Sequence, residues 1–130
     1  MREILFRGKR IDNGEWITGD LWNMPYADLG VSIVNFFIDT GTTGGLRVIP
    51  ETIGQYTGLK DKNGIKIFEG DINVFKTVYS TGRHVGEIRY YNECKPISRG
   101  RHLNVDLAET KKSNLEVIGN IHDNTGLMEG

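Results

Sequence analysis

The chain has 130 residues, of which 38% are hydrophobic and 25% charged, and 16 basic against 17 acidic side chains leave a formal net charge of −1. That length fits one domain, or a compact barrel carrying a separate hairpin, and the near-neutral balance excludes both a disordered polyelectrolyte and a surface built to seek polyanions. Glycines number 17 against only 3 prolines, which points to short strands joined by tight turns and so to an all-β fold. One cysteine, Cys94, cannot form an internal disulfide, and no Cys/His spacing matches a structural zinc site. No apolar run reaches the length of a membrane span. These readings predict a cytoplasmic protein with no cofactor, no metal and no membrane partner.

Residues 3–21 predict a hairpin whose tip is Asp12-Asn13-Gly14. With Asn13 and Gly14 as a two-residue loop, Asp12 faces Glu15, Ile11 faces Trp16, Arg7 faces Asp20 and Leu5 faces Trp22. One face then holds Ile4, Phe6, Ile17 and Leu21. The other holds Leu5, Ile11, Trp16 and Trp22 among Arg7, Lys9, Thr18 and Asp20, too apolar for an ordinary solvated face. Leu5, Ile11, Trp16 and Trp22 are therefore interface candidates, because burial against the rest of the chain or a second subunit explains them better than an aromatic ligand platform. The β-prone run 31–38 follows, and its Phe36 joins the candidates. The loop 39–45 contains a glycine pair but lacks the Lys-Ser/Thr and the helix of a phosphate cradle. Residues 46–49 predict a return strand, and Pro50 opens one helical turn.

Residues 49–71 are the densest run of turn and strand formers. Asn63-Gly64 predicts a hairpin loop between 55–59 and 65–68, and Glu69-Gly70-Asp71 a corner where the Asp71 carboxylate accepts backbone N–H groups. Residues 72–79 and 85–91 predict two middle strands, with Ile88 and Tyr90 alternating against Glu87, Arg89 and Tyr91. Arg83, His84, Arg99, Arg101 and His102 form the one basic cluster and are nucleic-acid candidates, against the plainer reading of a solvated surface. Residues 105–112 predict a short helix or an irregular arm. Leu115, Val117, Gly119 and Ile121 give the last strand its apolar alternation.

The run PETIGQYTGLKDKNG, followed by IFEGDI and later LEVIGNIHDN, resembles the YopX family of bacteriophage and prophage proteins, as does the opening FRGKRIDNGEWITGDL. The resemblance implies a small SH3-like barrel and a phage or prophage origin, and no particular activity. Asn73 departs from the family pattern, which has an apolar residue after Gly-Asp-Ile. The expected architecture is an N-terminal hairpin and strand region over 1–48 and a five-stranded barrel over 49–130. Tyr56, Leu59, Ile67, Phe68, Ile72, Val74, Ile88, Val117 and Ile121 are its predicted core.

No reaction motif stands out. His84, His102 and His122 lack metal-pair spacing, Cys94 has only Lys95 beside it, and Glu69, Asp71 and Glu87 read as turn or surface carboxylates. The expectation is a non-enzymatic module that forms a homo-oligomer or binds a host or phage protein. A nucleic-acid-binding accessory protein of phage replication or regulation is the alternative.

Overall fold

The computed structural model describes residues 4–28, 31–41, 44–76, 83–91, 95–100, 104–107, 115–124 and 126, with backbone alone at 25–28, 31–34, 75–76, 83, 91 and 104. Among them lie eleven strands: β1 Phe6–Lys9, β2 Trp16–Asp28, β3 Val31–Asp39, β4 Leu46–Val48, β5 Gly54–Lys60, β6 Lys66–Phe68, β7 Asp71–Lys76, β8 Arg83–Tyr91, β9 Lys95–Gly100, β10 Asn104–Asp106 and β11 Glu116–Asn120. A 3-10 turn at Pro50–Thr52 precedes β5. The ladders between them are antiparallel. The all-β expectation holds, but the strands form two sheets and not a closed barrel. Two compact units divide the chain, Met1–Tyr56 and Thr57–Gly130, so the division lies within β5, later than the 48/49 boundary expected from the sequence.

In the N-terminal unit the order is β4-β3-β2-β1, with the start of β5 on the free edge of β1. The β1–β2 register differs from the expected one: Phe6 faces Gly19, Arg7 faces Thr18 and Lys9 faces Trp16. The cause is a longer turn, closed where the Arg10 N–H donates to the Glu15 carbonyl at 2.9 Å and the Gly14 N–H to the Arg10 carbonyl at 3.0 Å. A slip of two residues preserves the period of the strand, so the paired residues keep their expected faces, but Ile4 and Ile11 lie outside the ladder and are 68% and 45% exposed, which corrects the expected burial of Ile4.

Two glycines hold that register. A Cβ on Gly8 would sit 3.2 Å from both Ile38 and Val48, the fully buried pair beneath it, and one on Gly19 would sit 2.0 Å from the Asp39 carbonyl oxygen. Beyond the end of β1, Arg10 bridges Val48 on β4. The Lys9 N–H meets the Thr52 hydroxyl, which itself donates to the Ile49 carbonyl at 2.6 Å. The sheet thus curls over Ile38 and Val48.

In the C-terminal unit the second half of β5 runs beside β6, and the other sheet has the order β10-β9-β8-β7-β11. Its core is Ile67, Ile88, Leu107 and Leu115, with Leu59, Val105 and Val117 packed against them. Phe68, Ile72 and Val74 are also buried there, as is Tyr56 at the end of the N-terminal unit; of the predicted core only Leu59, Val117 and Ile121 are half-buried. Of the span 105–112 expected as a short helix or irregular arm, Val105 and Asp106 belong to the strand β10, the buried Leu107 has 3-10 geometry, and 108–112 lie outside the described residues. Gly19→Ala is expected to destabilise the N-terminal unit by about 1–3 kcal/mol, because the colliding group is backbone and cannot rotate away. Thermal unfolding against Thr18→Ala, at the exposed neighbouring position, checks this.

Candidate functional site

The motif that carries the family resemblance is occupied by folding. Asp61 is 5% exposed; its Oδ1 accepts the N–H groups of Asn63 at 2.8 Å and Ile65 at 3.0 Å, and its Oδ2 accepts that of Val117 at 3.0 Å. One carboxylate thereby shapes the hairpin loop and fastens it to β11, where the Lys62 N–H also donates to the Leu115 carbonyl at 2.9 Å. Gly64, at φ 79°, supplies the left-handed backbone the loop requires. Asp71 does what its corner predicts, accepting the Phe68 N–H at 2.8 Å from a position 2% exposed. Thr57 donates its hydroxyl to the Ile67 carbonyl at 2.8 Å. None of these groups is presented for chemistry.

A second polar cluster was not legible as such in the sequence. Ser98, with no exposed surface, donates to Asn73 Oδ1 at 2.8 Å, and its oxygen lies 3.1 Å from His84 Nε2. The His84 Nε2–Ser98 Oγ hydrogen bond takes its direction from the imidazole tautomer. All three side chains are buried. Gly86 lets the cluster cross the sheet, since a Cβ there would fall 2.1 Å from Ser98 Oγ and 2.7 Å from His84 Nε2. Asn73, where an apolar residue is expected, thus belongs with Ser98, His84 and Gly86, while its Nδ2 has no partner. Burial pushes the His84 pKa below its ordinary value, against a hydrogen bond to the Ser98 backbone that raises it.

The other basic candidates do not converge among the described residues. Arg99 is exposed on β9 opposite Glu87, which pairs with Arg89. Arg83 is placed by backbone alone, and Arg101 and His102 lie outside the described residues. His84 is 8% exposed, so the basic surface expected of it is corrected to a place inside the sheet. No three His, Cys, Asp or Glu side chains converge as metal ligands among the described residues.

The interface candidates gather in the N-terminal unit. Trp22 stacks on Phe37 with ring centroids 4.2 Å apart, and Gly45 passes so close that a Cβ would lie 2.6 Å from the indole. Trp16 lies beneath the Arg7 guanidinium at 4.8 Å and the Lys9 ammonium at 5.4 Å. Leu5, Trp16, Trp22 and Phe36 are half-buried, whereas Ile11 and Met24 are exposed. Ile11 borders an open groove of about 260 Å³ with Arg10, Asp12, Leu46 and Arg47, where Arg10 forks onto Asp12 at 2.9 and 2.6 Å.

A family model, YopX protein, matches residues 5–129. The chain belongs to the YopX family. Among solved structures, it is similar to protein EF1440 from Enterococcus faecalis, with 26% identity, a TM-score of 0.52, and coverage of 98% of this chain and 99% of that one. No curated protein matches the chain.

Asp61→Ala leaves three N–H groups without their acceptor and is expected to cost about 3 kcal/mol or more, read from denaturant midpoints. For His84 the folded pKa lies below the unfolded one, so the unfolded chain takes up the proton first. Stability is full above the ordinary histidine value and falls as pH drops through it towards the lowered folded value. Denaturant titrations should show that slope in the wild type and a flatter one in His84→Gln.

Proposed function

We propose that this YopX-family chain is a self-associating or protein-binding module that works through its N-terminal unit. The observation that carries the reading is the length of the β2–β3 ladder, which pairs Asp20 with Asp39 and continues without a break to Asp28 with Val31. β1 accompanies β2 only as far as Gly19, and β4 accompanies β3 only from Phe36 to Ile38. Past those points the ribbon has no third strand among the described residues. Two strands alone are marginal in water, and at about 3.4 Å per residue the 13 residues of β2 extend roughly 44 Å. A structure of that kind gains most by pairing with something else.

The tryptophans fit this reading as the root of the ribbon and not as its contact surface. Trp22 and Phe37 brace each other across the two strands, while Trp16 is roofed by two cations. Exposed apolar surface is left at Ile4, Ile11 and Met24. The setting we expect is the cytoplasm of a bacterial host, with a phage or prophage origin, and the partner a second copy or a host or phage protein. Sedimentation equilibrium of the full chain at rising concentration should give a mass above the 14.6 kDa of one copy. A monomer throughout, with no bound protein recovered from host cells, would remove the reading.

A further inference from the structure

The backbone of the ribbon reveals which edge is prepared for a partner. The Ile49 N–H donates to the Lys9 carbonyl at 2.8 Å, and the Ile11 N–H to the Arg47 carbonyl at 3.1 Å. Those two bonds flank the bridge between Arg10 and Val48, so this is a non-hydrogen-bonded pair and the N–H and C=O of Val48 point the other way, to Phe36 on β3. Phe36 therefore gives its backbone groups to β4, and Asn23, opposite it on β2, turns its own away from β3. Alternation carries the pattern along an unbroken register. On β2 the outward residues include Asn23, Pro25 and Ala27; on β3 they are Val34 and Ser32.

The two edges are consequently unlike. Pro25 has no N–H to offer, and it stands in the middle of the outward row of β2, which blunts that edge against strand addition. The β3 edge has no such block. Ser32 and Val34 each present an N–H and a C=O, and the five residues from Val31 to Asn35 contain neither a charge nor a proline.

Resting on the self-association reading above, we infer that residues 31–35 form a strand-addition site whose occupant is the same segment of a second copy, paired antiparallel about Ile33. The lengths agree. With Ile33 facing its own equivalent, Ser32 of one copy faces Val34 of the other, so all the outward groups of both segments meet in four hydrogen bonds. Val31 faces Asn35 at each end, so the pairing stops one residue short of Phe36, which β4 already occupies. The segment that no described strand pairs on one copy is the segment available on the other. With no charge in either segment, no like charges meet across the junction, as a two-fold contact requires.

The test uses the full chain. Val34→Pro removes one outward donor per copy without touching the β2–β3 ladder, as Pro25 does on the opposite strand, and the two-fold makes the loss count twice. Sedimentation equilibrium should show a wild-type dimer whose dissociation constant rises about tenfold or more in the variant, with far-UV circular dichroism unchanged. Amide exchange on the wild type gives a reading that needs no variant. The Ser32 and Val34 amides should lose protection on dilution to monomer, whereas those of Ile33 and Asn35, which face β2, should not. A dimer with intact affinity in Val34→Pro, or with Ser32 and Val34 amides indifferent to dilution, would overturn this pairing and leave self-association standing. A wild-type monomer at every concentration would overturn both.

Discussion

The fold of the C-terminal unit depends on a buried carboxylate that is held by backbone: Asp61 accepts three main-chain N–H groups. Two belong to its own loop and the third to a strand more than fifty residues later, so the same group sets a local turn and a distant pairing. Backbone donors suit this role because they cannot rotate away, and each would be costly to leave unpaired inside a protein. The Lys62 ammonium, 3.3 Å from Glu116, lies over the same junction, but both side chains are about two-fifths exposed and that pair adds little. Once loop and last strand are tied, Leu115 and Val117 are delivered to Ile67 and Ile88, and the core follows.

This accounts for the residues on which the family resemblance rests. Tyr56 and Phe68 bury their rings, and Thr57 ties its hydroxyl to a strand carbonyl. Asp61 clamps the loop, Gly64 and Gly70 supply left-handed turns, and Asp71 accepts at the corner. The Gly70 N–H donates to the Ile88 carbonyl and its carbonyl accepts the Ile121 N–H, both at 2.9 Å, so the corner joins two further strands. The motif is therefore, in this chain, a statement about folding. What distinguishes the N-terminal unit is the opposite condition, a long ladder with few supporting strands.

Much of this was legible from alternation and turn chemistry. The strands of the core, the Asn63-Gly64 loop and the corner at Asp71 all follow from local pattern. The first hairpin shows where such reasoning stops: Asn-Gly signals the turn, but the register is set by Gly8 and Gly19, whose missing side chains matter only beside Ile38, Val48 and the Asp39 carbonyl. Asp61 was hidden for a similar reason, since its third donor, Val117, is remote in sequence. The strands β9 and β10 escape the pattern because β9 carries Pro, Ser, Arg and Gly in place of a β-branched run and β10 is only Asn-Val-Asp. Asn73 looks like a local oddity until Ser98 and His84 supply its neighbours.

Native-state hydrogen exchange at Asn63, Ile65 and Val117 tests most directly whether one carboxylate governs the unit. If Asp61 is a single clamp, the three amides open together with one free energy, close to that of unfolding the unit, and Asp61→Ala lowers all three by the same amount. Exchange at Asn63 and Ile65 through a separate low-energy opening, with Val117 still protected, would contradict the account.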